Sequence, residues 1–228
     1  MNNILHFPNK TIVNKPVPKN AFFKHAPEGQ RAPLQRMLTD EFEGITWLYK
    51  LTAATLNVED GQNVHEVDVF CCQMKMDHYS VNPFCAMDKL LPRHTLFIIE
   101  YDDNFDLLMH HKEMTLVKGE QKWTCGITEF RNKVSLGEKP LITIEGQNMD
   151  AVYNGLLSQV SGLHAATEEE YKEQAELRRQ IVLLEKQVKT LQKQVRAEKQ
   201  FNRQIELNGQ ARQLKAKLLE LRNQLESK

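Results

Sequence analysis

The sequence predicts an α/β (α+β) head, with a central mixed sheet covered by helices, followed by a C-terminal α-helical coiled-coil tail. Three observations carry this expectation. All eight prolines and nine of the ten glycines fall in residues 1–166, so the last 62 residues hold one glycine, Gly209, and no proline. Two-residue alternation of apolar side chains recurs through the first part, as half-buried strands require. In the last part leucine, isoleucine and valine recur at steps of three and four among Glu, Lys, Gln and Arg, the composition of long helix.

Charge divides at the same place. The whole chain of 228 residues balances 30 Lys+Arg against 30 Asp+Glu. Residues 1–166 carry 16 basic and 20 acidic side chains, and residues 167–228 carry 14 and 10. Neutrality excludes a uniformly basic nucleic-acid binder and a highly charged disordered chain. The longest apolar runs, residues 96–99 and 181–184, are far short of the roughly 20 residues of a membrane span. The opening stretch lacks the apolar core and small-residue cleavage site of a signal peptide. These features point to a cytoplasmic protein without membrane contact.

The elements follow in order. Pro8, Pro16 and Pro18 make the first twenty residues an extended arm. From Pro33, the side chains Leu34, Met37, Leu38 and Phe42 fit one face of a short helix. Ile45, Trp47, Tyr49 and Leu51 then alternate with Thr46, Leu48, Lys50 and Thr52, a strand, with a helix as the competing reading. Residues 64–76 alternate again, and Phe84, Met87 and Leu91 mark a short helix. Residues 96–101 and 105–111 are two β-rich runs around Asp102-Asp103-Asn104, a hairpin whose faces are both apolar enough to need cover. A strand or two follow in residues 123–136. Met149, Val152, Tyr153, Leu156, Leu157 and Val160 then form an amphipathic helix that Gly162 ends. Thr167 and Glu170 read as a capping box opening the tail, giving a head of residues 1–166 and a tail of residues 167–228.

Catalytic signatures are sparse. One cluster is conceivable: with a three-residue hairpin loop, Glu100 lies opposite Asp106, and His110 shares their face. With a two-residue loop Glu100 pairs with Leu107 and the cluster dissolves. Together with Asp68, these side chains would form the carboxylate-histidine metal site of a nuclease with a degenerate restriction-type motif. Against it, Gln73-Met-Lys75 lacks the acid such a motif requires. The simpler reading is polar residues at a hairpin tip. No glycine-rich phosphate loop, Gly-x-Ser-x-Gly or His-Glu-x-x-His occurs. The four cysteines, Cys71, Cys72, Cys85 and Cys125, have no metal-binding spacing and read as small apolar fillers, and none is singled out as a nucleophile. No catalytic, cofactor or metal site is assigned on this basis.

The tail is more specific. Leu177, Leu184 and Leu191 occupy d positions of a heptad, and Ile181, Val188 and Val195 the a positions. β-Branched residues at a with leucine at d favour two parallel strands, hence a parallel dimer with a second copy. A second seam through Leu207, Ala211, Leu214, Leu218, Leu221 and Leu225 is two residues out of phase. Asn208-Gly209 is a natural stop, so a helical hairpin breaking there competes with a bent continuous helix. The tail's net positive charge favours DNA phosphates, but its intervening acids make the patch weak, so any DNA contact is expected to be weak or indirect.

Several of these stretches, residues 45–51, 56–58, 65–70, 87–92 and 95–101, together with residues 198–208 of the tail, resemble the bacterial family called domain of unknown function 4391. The resemblance supplies no activity and no functional residues. It implies a genomic setting beside restriction-type DNA methyltransferases and helicases. On that footing the chain is expected to be a non-catalytic accessory subunit of a DNA-restriction or antiviral defence system. It would pair with itself or with a helicase or methyltransferase through the tail.

Overall fold

The computed structural model describes residues 5–24, 26–117, 120–135, 142–163, 168–198 and 200–226. The chain forms two compact units, residues 1–162 and 163–228. Thr167 lies outside the described residues, so the expected capping box does too.

The first unit is mixed α/β. Its six-stranded sheet keeps the order of the sequence, β1 to β6. Strand β1 (Ile12–Pro16) is the edge, followed by β2 (Phe42–Thr52) and β3 (Glu66–Met74). The rest are β4 (His94–Tyr101), β5 (Asn104–Val117) and β6 (Glu120–Ser135). Among the six described strands only β3 and β4 run parallel, and helix α4 (Asn82–Leu90) makes the crossover between them. Every other neighbouring pair is antiparallel.

The expected arm therefore contributes a strand. An edge is where Pro16 is tolerated, because its missing N–H costs no ladder bond on the open side. Two short helices, α1 (Asn20–Phe23) and α2 (Glu28–Glu41), follow it. Helix α2 begins a turn before Pro33 and ends before Phe42, which opens β2 instead. The strand reading of residues 45–51 holds, with one departure from strict alternation. A bulge between Trp47 and Tyr49 puts Leu48 and Tyr49 in the interior together. Beyond β2, Thr52 caps the single turn α3 (Ala53–Leu56) by accepting from the Thr55 N–H.

Helices α1, α2 and α4 cover one face of the sheet through Phe22, Leu34, Leu38, Phe84 and Met87, packed on Phe70, Cys72, Phe97, Ile99 and Leu108. The Phe97 ring meets Phe84 edge-on at 5.3 Å and stacks on Phe70 at 6.3 Å. The alternate residues Val67, Val69, Leu96, Ile98, Leu107 and Met109 are equally inaccessible. A sheet covered on both sides accounts for the continuous apolar run of β4. Helix α5 (Met149–Ser161) packs on β5 and β6 and ends at Gly162, whose φ of 71° is the left-handed cap geometry glycine adopts freely.

The second unit consists of α6 (Glu168–Ala197) and α7 (Phe201–Glu226). They form an antiparallel pair. Gln204 Nε2 at the start of α7 donates to the Val195 carbonyl near the end of α6 (3.1 Å), and Arg222 meets Glu185 at 2.6 Å. The reversal lies between Ala197 and Phe201, not at Asn208-Gly209, through which α7 runs without interruption. Glycine inside a helix costs about 1 kcal/mol, a penalty that the helix bears here. At the reversal, Glu198 accepts the Gln200 N–H at 2.9 Å. The two seams face each other across the hairpin, where Ile181, Val188, Ala211 and Leu221 are buried. Leu177, Leu184, Leu191, Val195, Leu214, Leu218 and Leu225 are half-buried.

Candidate functional site

The acidic residues that suggested a nuclease do not meet. The hairpin turn has two residues, Asp102 and Asp103, so Tyr101 pairs with Asn104, Glu100 with Phe105 and Ile99 with Asp106. Glu100 thus faces Phe105 rather than Asp106 or Leu107, and neighbours on a strand point to opposite faces. Its carboxylate accepts from the Cys71 thiol at 3.3 Å.

Asp106 has a structural task. A bulge in β6 opposite residues 105–107 places Lys133 in the left-handed region (φ 54°), and Asp106 accepts the Lys133 N–H at 2.7 Å. The same carboxylate accepts from the hydroxyls of Tyr101 (2.9 Å) and Tyr79. Burial and these contacts hold both phenols above their ordinary range, Tyr101 at about 12.

Asp68 belongs to a third group. It lies beside Glu66 and 3.8 Å from Arg93, which also pairs with Glu66 at 3.0 Å. Burial, reinforced by the Glu66 charge, raises the Asp68 carboxyl to about 7 against the pull of Arg93. The folded protein therefore keeps this proton longer than the unfolded chain does. Its contribution to stability is complete below about pH 4 and is lost as pH rises through about 7. Asp68→Asn is expected to flatten a decline of up to about 4 kcal/mol in this window, measured by urea denaturation at successive pH values.

The fourth candidate, His110, stands in a different constellation that sequence reasoning did not assemble. Its Nδ1 lies 2.9 Å from Asp88 Oδ2, and both side chains are wholly buried. Asp88 comes from α4, where the helix ends against β5. Lys112, two residues beyond His110 and therefore on the same face, reaches that helix end. Its ammonium donates to Asp88 Oδ1 (3.1 Å) and to the carbonyls of Asp88 (2.6 Å), Leu91 (2.7 Å) and Arg93 (2.6 Å). A cation on the last carbonyls of a helix meets its negative end. Burial lowers the Lys112 pKa, and Asp88 opposes that shift. Trp123 covers the ammonium, its ring centroid 4.9 Å away. The Tyr153 hydroxyl accepts the Lys112 N–H and donates to the His110 carbonyl, fixing the strand between them.

A second bulge brings in a thiol. Between the pairs His110–Thr128 and Lys112–Cys125, β6 advances three residues while β5 advances two. Without the extra residue Gly126 would face Lys112 and Cys125 would point to the other side of the sheet. With it, Cys125 joins His110 and Asp88, so that a donor atom of each lies within 4.8 Å of the others. Cys85, one helical turn before Asp88 on α4, lies beside this group, and the Cys125 thiol donates to its backbone carbonyl at 4.0 Å.

The Cys125 thiol beside it, with the Lys89 ammonium nearby, lowers the Cys85 thiol to about 5 against the effect of burial, consistent with its place in the first turn of α4. Cys125, the donor in the contact, is pushed up, as are Cys71 and Cys72 by burial. The four cysteines are thus two kinds. Cys71 and Cys72 are the expected apolar fillers, whereas Cys85 and Cys125 are half-exposed and polar in role. In a chelating buffer at pH 6.5, iodoacetamide is expected to modify Cys85 first and to leave Cys71 and Cys72 untouched, as read by peptide mass spectrometry.

What remains unsatisfied is informative. The second ring nitrogen of His110, Nε2, is buried without a hydrogen-bond partner. An imidazole held by a carboxylate on one nitrogen, with its other nitrogen free and the Cys125 thiol near the ring, can act as a base or as a ligand. The sequence held one trace of this group, a lysine at the third position of the Leu108, His110, Lys112 alternation in an otherwise buried strand.

No curated protein and no solved structure matches the chain. A family model described as Domain of unknown function (DUF4391) matches residues 5–218, which takes in the sheet, the Asp88–His110 group and most of the helical hairpin. The chain therefore belongs to the DUF4391 family.

Proposed function

We propose that the protein is a non-catalytic accessory subunit that docks through its helical unit onto a larger DNA-processing enzyme, a restriction-type helicase or methyltransferase. One observation carries the reading. The hairpin buries Ile181, Val188, Ala211 and Leu221 within itself, yet leaves Val182, Leu183, Ile205 and Leu219 at 43%, 51%, 55% and 61% exposure. A two-helix unit with a satisfied seam and further large apolar residues outside it has more apolar surface than its own packing uses. The coiled-coil reading of the tail is kept in modified form. The seams serve the hairpin, and the outer residues serve a partner helix, in the helix-on-helix mode of recognition. The dispersal of Asp68, Glu100 and Asp106 into separate structural tasks supports a head without nuclease chemistry. The genomic setting implied by the family resemblance supplies the partner's class.

Tagged full-length chain, expressed in its native host, is expected to co-purify a helicase or methyltransferase. Val182→Asp with Leu183→Asp should abolish recovery while the helical circular dichroism is unchanged, because neither side chain is buried in the hairpin. Recovery of the tagged chain with only its own untagged copies would replace the proposed partner by a homodimer. Equal recovery of the enzyme with the variant would overturn the docking surface.

A further inference from the structure

We propose that His110, Cys125 and Cys85 form a binding site for a zinc-class divalent ion, with Asp88 orienting the imidazole from behind. The bonded atoms are His110 Nε2 and the two sulfurs. This goes beyond the accessory role and is independent of it, since the site lies wholly in the sheet-bearing unit.

Four observations converge. First, His110 Nε2 is buried and has no hydrogen-bond partner, while Nδ1 is engaged by Asp88 at 2.9 Å. A carboxylate on one ring nitrogen fixes the tautomer that leaves the other as a lone-pair donor, the arrangement found behind most metal-bound histidines. Second, Cys125 Sγ lies within 4.8 Å of both the imidazole and the Asp88 carboxylate. Zinc–sulfur and zinc–nitrogen bonds of about 2.3 and 2.1 Å separate two ligands on one ion by at most about 4.4 Å. The Cys125 sulfur therefore lies close to coordinating range of the imidazole, and Cys85 is adjacent to it, its carbonyl 4.0 Å from Cys125 Sγ.

Third, the donors are an imidazole and two thiols rather than a ring of oxygens. Soft and borderline ligands select zinc-like ions over magnesium or calcium. Fourth, charge balances. Asp88 and Lys112 neutralise each other, and Lys112 has all its donors committed to Asp88 and to the carbonyls at the end of α4. Two thiolates then cancel a doubly charged cation, so the buried site carries no net charge when filled. Thiol protons leave to solvent as the ion binds, which both half-exposed cysteines permit. Three protein ligands leave one position for water, as a four-coordinate ion requires.

The ion would tie together α4, β5 and β6, three elements that the sequence separates. It also supplies a physical reason for the β6 bulge, which is what turns Cys125 toward His110.

The full-length chain, reduced and freed of metal by a chelator, is titrated with Co2+ as the spectroscopic substitute for Zn2+. A near-ultraviolet thiolate-to-cobalt charge-transfer band is expected, saturating at one equivalent and displaced by Zn2+. Cys125→Ser should abolish the band, Cys85→Ser should weaken it, and Cys71→Ser should leave it intact. X-ray absorption on the zinc-loaded wild-type protein, which needs no variant to fold, should show sulfur at about 2.3 Å together with nitrogen or oxygen at about 2.0–2.1 Å. A folded wild-type protein that gives no band overturns the site. So does a band unchanged in Cys125→Ser, or a zinc shell without sulfur.

Discussion

Lys112→Met is expected to lower the stability of the sheet-bearing unit by about 3–5 kcal/mol, the range for removing one partner of a buried ion pair. The substitution keeps most of the apolar stem, but it removes the cation over the Trp123 ring and strips four acceptors at once. Asp88 keeps a buried charge with only His110 beside it, and the carbonyls of Asp88, Leu91 and Arg93 lose the donor that satisfies them. Each unsatisfied buried acceptor adds to the cost. The melting temperature should fall by roughly 10 °C for a unit of this size. Guanidinium denaturation followed at Trp47 and Trp123 reads the change. Lys112→Met combined with Asp88→Leu should cost less than the two separate losses added together, because removing both partners leaves no orphan charge. A loss below 1 kcal/mol for Lys112→Met would mean that α4 is held by its apolar contacts alone.

Asp106→Ala is expected to destabilise the protein by about 2–4 kcal/mol, since it removes one carboxyl acceptor from three donors at once. Two of those donors are half-buried phenols, and the third is the Lys133 N–H, whose left-handed backbone the carboxylate steadies. Tyr101→Phe removes one of the three bonds and should cost about 1 kcal/mol. The pair separates a structural carboxylate from a catalytic one. A nuclease carboxylate in a solvated cleft would tolerate alanine with little loss of stability and would lose metal-dependent DNA cleavage. The geometry predicts the reverse, a large stability loss in a protein without that cleavage.

These two residues also show why a one-dimensional reading stops where it does. Asp106 and Glu100 looked like partners because they flank a turn, and whether they meet depends on a single residue of loop length. The Asp102-Asp103 turn gives a register in which the carboxylates fall on opposite faces. Composition cannot distinguish the two loops, since Asp and Asn tolerate turn conformations at every position involved. Cys125 presents the same problem in sharper form. Its side of the sheet is decided by one extra residue near Gly126, and a bulge leaves almost no trace in alternation when both faces are partly apolar. The hairpin of the tail differs again. Asn208-Gly209 is the stronger stop by residue type, yet the reversal falls between Ala197 and Phe201. With the reversal there, α7 carries its whole seam, including the buried Ala211 and Leu221, on one uninterrupted helix, and Gly209 is accommodated at a cost of about 1 kcal/mol.

What the sequence determined by itself is periodicity and its consequences. The strand at residues 45–51, the continuous apolar run that demands a doubly covered sheet, the helix closed by Gly162 and the two leucine seams each rest on local spacing. Local spacing reflects burial directly, because a side chain's face follows from its position in a helix or strand. The tertiary structure decided which polar residues meet. Asp88, His110, Lys112, Cys85 and Cys125 come from a helix and two strands, and their convergence depends on a crossover, a turn length and a bulge. Each of these is set by the packing of whole elements rather than by neighbours in the chain. A buried polar group is stable only when all its partners arrive together, so its members carry no signal until the fold has brought them into contact.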